Sequence, residues 1–130
     1  VGSFGIECLS RGANKITFVE KNEETFQILN KNIENLSLQN KTNVVVNEIE
    51  NFLCNEISKK YDIIFLDPPF AKDTFIEVLR SIHKQKIYKK NHVVILHREK
   101  KTKDSLDEII EPIVVKQYGR SKIIFGKFLN

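Results

Sequence analysis

A chain of 130 residues, 41% of them apolar, can build one core but not two, so a single domain spanning residues 1–130 is expected. The formal net charge of +4 and pI near 9.0 suit an anionic partner, although the excess is modest and diffuse, and lysine far outnumbers arginine. No apolar run approaches the roughly 20 residues of a membrane-spanning helix and no secretory leader is visible, so a cytoplasmic protein without a membrane partner is expected. Cys8 and Cys54 lack metal-ligand spacing and fall in apolar helical patterns, which reads as two reduced core thiols and no metal site.

In chain order, Val1-Gly2-Ser3-Phe4-Gly5 reads as the back half of a glycine-rich loop running into a helix. In a complete Gly-x-Gly-x-x-Gly, Gly2 and Gly5 would be the last two glycines, with the first glycine and its preceding strand upstream of Val1. The chain is therefore expected to be a fragment without its first strand. Ile16-Thr17-Phe18-Val19 has the continuous apolar character of a strand buried on both faces and ends at Glu20. Phe26, Leu29, Ile33 and Leu36 then recur at helical spacing, with Asn22 as the N-cap and Glu23 and Glu24 in a first turn that favours acidic side chains. Val44-Val45-Val46 predicts a second strand, and Glu48 opens a helix striped by Ile49, Phe52, Leu53 and Ile57. A third strand at Ile63-Ile64-Phe65-Leu66 precedes a stripe of Phe75, Val78, Leu79 and Ile82, and a fourth lies at Val93-Val94-Ile95-Leu96. The charged stretch from Arg98 to Lys103 reads as a loop leaving that strand, placed where it could touch phosphate. Ile113-Val114-Val115 and Ile123-Ile124-Phe125 flank Gly119 too closely for an intervening helix and predict a hairpin. The alternation predicts an α/β, doubly wound, mostly parallel sheet with right-handed crossovers and an antiparallel C-terminal hairpin.

Ligands of such sheets bind beyond the carboxyl ends of the strands. The glycine loop, Glu20 and Asp67 all fall at that edge. Glu20 is suited to accept hydrogen bonds from two ribose hydroxyls, or it complements the dipole of the next helix. Glu48 either accepts from an adenine amino group or stabilises a helix start. The tetrapeptide Asp67-Pro68-Pro69-Phe70 is the most informative feature. Two prolines end the strand and restrain the residue before them to extended geometry, which fixes where the Asp67 carboxylate points. A carboxylate, the Pro68 carbonyl and the Phe70 ring together can hold a flat base by its exocyclic amino group, and that arrangement suits methyl transfer to nitrogen by positioning, with no metal. Asp-Pro-Pro is also an ordinary exit from a strand into a turn.

The run from Gly2 through Glu7-Cys8-Leu9-Ser10-Arg11-Gly12 to Ala13, then Phe18-Val19-Glu20, Phe52-Leu53, the segment from Tyr61 through Asp67 to Phe70, and Tyr118-Gly119 together resemble the bacterial family that methylates guanine N2 in 16S ribosomal RNA. The resemblance spans nearly the whole chain. It implies a class I methyltransferase fold and S-adenosylmethionine as cofactor, with 16S ribosomal RNA or an assembling small subunit as partner. It also implies roles for individual residues: Gly2 and Gly5 in the cofactor loop, Glu20 at ribose, Glu48 at adenine, and Asp67, Pro68, Pro69 and Phe70 at the target base. The chain departs from the family pattern at Glu48, where an aspartate is usual, and at Ile49, where a small residue is common. Other readings are DNA adenine-N6 or protein glutamine-N5 methylation, or a non-catalytic RNA-binding module in which Phe70 stacks on a base.

Overall fold

The computed structural model describes residues 2–46, 48–55, 59–67 and 72–130, which fall into two compact units, Val1–Phe52 and Leu53–Asn130. In the first unit, helix α1 (Ser3–Ser10) begins after Gly2, whose φ of +73° is one that L side chains rarely adopt. Helix α1 packs on strand β1 (Ile16–Glu20) through Gly5, where a Cβ would lie 2.6 Å from the Phe18 ring. Helix α2 (Glu23–Asn35) starts as its sequence predicts: the Asn22 side chain accepts from the Thr25 N–H at 2.9 Å, and Glu23 and Glu24 occupy the first turn. Leu29 and Ile33 are buried, but Leu36 is the C-cap and 55% exposed, so it leaves the predicted core stripe. Strand β2 (Thr42–Val46) pairs with β1 in parallel, from Ile16↔Thr42 to Glu20↔Val46. Both strands are half-buried to exposed, not buried on both faces, because their described sheet has two strands and each therefore keeps one unpaired edge.

Helix α3 (Ile49–Asn55) buries Phe52 and Leu53, while Ile57 of the predicted stripe lies outside the described residues. Cys54 is exposed, which corrects its reading as a core thiol: one helical step beyond Leu53 carries it off the buried face. Cys8 is part-buried, and desolvation, then neighbouring Glu7, raises its thiol pKa. Both are free cysteines.

The second unit holds β3 (Tyr61–Leu66), α4 (Lys72–Gln85), β4 (Tyr88–Glu99), β5 (Ile110–Tyr118) and β6 (Ser121–Phe128). The sheet order is β3-β4-β6-β5: β3 and β4 run parallel, and β6 returns antiparallel between β4 and β5. The predicted hairpin forms, turning at Gly119 with φ +56°. On one face Ile64, Leu66, Val94 and Leu96 are buried, and Phe75, Val78, Leu79 and Ile82 of α4 are buried as their spacing predicts. Arg98 lies on that same face, with its guanidinium carbon 4.0 Å from the Phe75 ring centroid, so α4 covers this side. On the other face Ile63 is 50% exposed, so β3 is not buried on both faces; β3 forms one edge of its sheet.

The charged stretch also differs from expectation. Arg98 and Glu99 belong to β4, and Arg98 is buried against Asp104 through two hydrogen bonds of 2.9 and 3.1 Å. Its guanidinium is thereby withdrawn from any phosphate. Among the described residues no helix is long and apolar enough to cross a membrane.

Candidate functional site

Strand β3 ends at Leu66, so Asp67 is the first residue beyond its carboxyl end. The parallel register pairs Leu66 with Leu96, which sets Asp67 beside His97 of β4. Alternation along the strands places both on the face opposite α4. His97 Nδ1 lies 2.6 Å from Asp67 Oδ1. A carboxylate only accepts, so the imidazole carries its proton on Nδ1 and donates it. The Asp67 side chain is 51% exposed, and Oδ2 makes no hydrogen bond to a described residue. One oxygen is therefore held and the other presented. Pro68, Pro69 and Phe70 lie outside the described residues.

His97 was not among the sequence-derived site residues, although a signal for it exists. The apolar runs of β3 and β4 each end one residue before a polar side chain, and in adjacent parallel strands of matching register those two residues must be neighbours. Arg98 fixes the strand end from the opposite face. Its ion pair with Asp104, at side-chain exposures of 5% and 2%, ties the end of β4 to the segment before β5.

In the first unit Glu20 ends β1 and Glu48 stands two residues past β2, so the β1–β2 register brings both to one edge. Glu20 is half-buried, and its Oε1 accepts from the Asn22 N–H at 2.9 Å. Oε2 makes no hydrogen bond to a described residue. A carboxylate anchored by one oxygen and presenting the other fits a ribose hydroxyl, so this edge could hold an adenosyl group. Glu48 is exposed, and its carbonyl accepts from the Phe52 N–H at 3.1 Å, which opens α3. Gly2 and Gly5 divide the work of the glycine pair: Gly2 supplies the left-handed turn into α1, and Gly5 supplies close helix–strand packing. Among the described residues no group of three or more His, Cys, Asp or Glu is arranged to hold a metal ion.

Comparison with known proteins identifies relatives of the chain and of its fold. A ribosomal RNA small subunit methyltransferase D of Buchnera aphidicola is 35% identical over 100 residues, covering 77% of this chain and 52% of that protein. The chain thus spans about half the length of that relative. A crystal structure of a proposed methylase from Haemophilus influenzae matches with a TM-score of 0.84 at 26% identity, covering 99% of this chain and 81% of the other. A Podospora anserina methyltransferase solved with bound S-adenosylhomocysteine shares the fold at a TM-score of 0.67 and 11% identity, over 89% of this chain and 61% of that one. The architecture is therefore the α/β, Rossmann-like fold of class I methyltransferases. The family model described as conserved hypothetical protein 95 matches residues 1–127, and the chain belongs to that family.

Proposed function

We propose that this protein is a cytoplasmic, S-adenosylmethionine-dependent methyltransferase that modifies the exocyclic N2 of a guanine in 16S ribosomal RNA, either as free RNA or within an assembling small subunit. The observation that carries the reading is the Asp67 carboxylate at the end of β3, held by His97 through one oxygen and followed directly by Pro68, Pro69 and Phe70. Family membership and similarity to a relative named for small-subunit ribosomal RNA methylation support the reaction and substrate class.

S-adenosylmethionine, when bound, supplies an electrophilic methyl group on a sulfonium centre. The guanine amino nitrogen is a weak nucleophile because its lone pair is conjugated with the ring. Asp67 Oδ2 accepts one of its N–H groups and the Pro68 carbonyl the other, which turns the lone pair toward the methyl carbon. Transfer of that methyl group would leave the cofactor as a neutral thioether and put a positive charge on the amino nitrogen, which would then lose a proton to solvent. The carboxylate stabilises that developing charge. Phe70 provides a stacking face for a guanine drawn out of its local stack. Glu20 would hold the cofactor ribose, the backbone at Gly2 would approach the cofactor, Gly5 lets α1 close on β1, and Glu48 would accept from the adenine amino group.

Replacing Asp67 tests this directly. Asp67→Ala should lower single-turnover methyl transfer to 16S RNA by roughly a hundredfold or more, the scale of losing one preorganised electrostatic contact. Asp67→Asn should keep measurable activity, because its amide oxygen still accepts one hydrogen bond. A folded alanine variant with full activity removes Asp67 from the mechanism.

A further inference from the structure

At the edge of the second unit opposite Asp67, the sheet opens into a cleft of about 630 Å³. Lys60 precedes β3, Lys86, Lys89 and Lys90 surround the start of β4, Lys127 is the penultimate residue of β6, and Glu111 lies on β5. Five of the lining residues are exposed lysines and one is a glutamate. Charge that is diffuse along the sequence is gathered here, because antiparallel β6 returns Lys127 to the edge where β3 and β4 begin. Among the described residues Lys89 pairs with Asp62 at 3.3 Å, and the other four lysines make no ion pair.

The cleft has an aromatic floor. Tyr88 stacks on Phe128 at 4.7 Å between ring centroids and leans on His92 at 4.4 Å. His92 Nε2 accepts from the Phe128 N–H at 2.9 Å, so its proton resides on Nδ1, which donates to the Lys89 carbonyl at 2.6 Å. This neutral imidazole ties the end of β6 to the start of β4, and with them the positions of Lys89, Lys90 and Lys127. Lys86 directly follows α4 at φ +53°, a position where glycine is the ordinary choice and an L side chain is strained. The last turn of α4 already contains His83 and Lys84, so the helix dipole does not require another cation there.

We propose that this cleft binds the ribose-phosphate backbone of RNA flanking the modified guanine, an assignment that rests on the reading of RNA as substrate. The six residues of β3 separate it from Asp67 by about 20 Å at the usual rise per strand residue. An RNA that engages both edges must therefore be long enough to extend from one to the other. The lysines contribute neutralisation of phosphates and release of counterions, not base recognition.

Fluorescence anisotropy of the full chain with a 16S RNA fragment of about 40 nucleotides, titrated with KCl, tests the assignment. Combined Lys60→Gln, Lys90→Gln and Lys127→Gln should reduce the salt slope by about 2 to 3 and weaken binding about tenfold or more at 0.15 M salt. The same number of changes outside the cleft, Lys15→Gln, Lys31→Gln and Lys41→Gln, should leave the slope at the wild-type value. Lys86→Gly should raise the melting temperature while weakening RNA binding, opposite signs that a purely structural lysine would not produce. Absent RNA binding, equal loss of slope in both triple variants, or equally strong binding of polyglutamate overturns the proposal. RNA held through the cleft without methyl transfer would sink the catalytic reading and leave the cleft standing; transfer with unaltered binding by the cleft variants would do the reverse.

Discussion

The His97 Nδ1–H engages Asp67 Oδ1 at 2.6 Å, and this contact decides which carboxylate oxygen is left open to a ligand. Without it the carboxylate can rotate about a strand end that is half open to solvent. His97→Phe should slow single-turnover transfer roughly ten- to hundredfold, in line with the cost of misplacing a reacting group. Its affinity for S-adenosylmethionine should not change. His97→Asn, which places an amide N–H near the Nδ1 position, should recover much of the rate; an unimpaired phenylalanine variant would reduce the histidine to a neighbour. At Glu20, replacement by alanine should weaken cofactor binding by about 1.5–3 kcal/mol, the range for hydrogen bonds to a charged group. Calorimetry can check this, and an unchanged affinity would leave Glu20 only its contact with the Asn22 N–H. The strand-end positions of Asp67 and Glu20 were legible because each follows an apolar run. The His97–Asp67 contact was not, since it depends on which strand lies next to β3.

Among the elements, β4 carries His97 on one face and Arg98, its own anchor, on the other. Breaking the Arg98–Asp104 pair by Asp104→Ala would leave a guanidinium charge buried beneath α4 without its carboxylate. Such losses cost about 3–5 kcal/mol, although an intact buried pair contributes little net stability over an apolar replacement. Urea unfolding should show a loss of that size. By contrast, Arg11→Ala should change stability by no more than about 0.5 kcal/mol, because the Glu7–Arg11 pair, at 2.7 Å, has side chains 59% and 78% exposed. Comparable losses in the two variants would mean that burial does not govern these pairs. The helix stripe from Phe75 to Ile82 was readable from spacing alone, whereas Leu36 and Cys54 were misread because periodicity does not say where the buried arc of a helix ends.

Across the whole molecule, burial is uneven between the two units. The four-stranded sheet holds Val94 and Leu96 fully buried, while the β1–β2 sheet has two strands whose residues are half-buried or exposed. A two-stranded sheet is marginal in water, and strands with a covered apolar face resist opening more strongly. Amides of β4 and β6 should therefore exchange with deuterium more slowly than those of β1 and β2. The reverse order would contradict this account of where stability resides.

Local chemistry was sufficient to reveal the strand runs, the Asn22 cap, the Gly119 turn and Asp67 before two prolines, because each depends on residues close together in the chain. Tertiary structure alone decided that His97 meets Asp67, that Arg98 turns inward to Asp104, and that five lysines scattered over 68 positions, from Lys60 to Lys127, share one cleft. Those relations depend on parallel pairing of β3 with β4 and on the return of β6 beside β4. Strand order is set by how the apolar faces pack together, and no residue's immediate neighbours encode it.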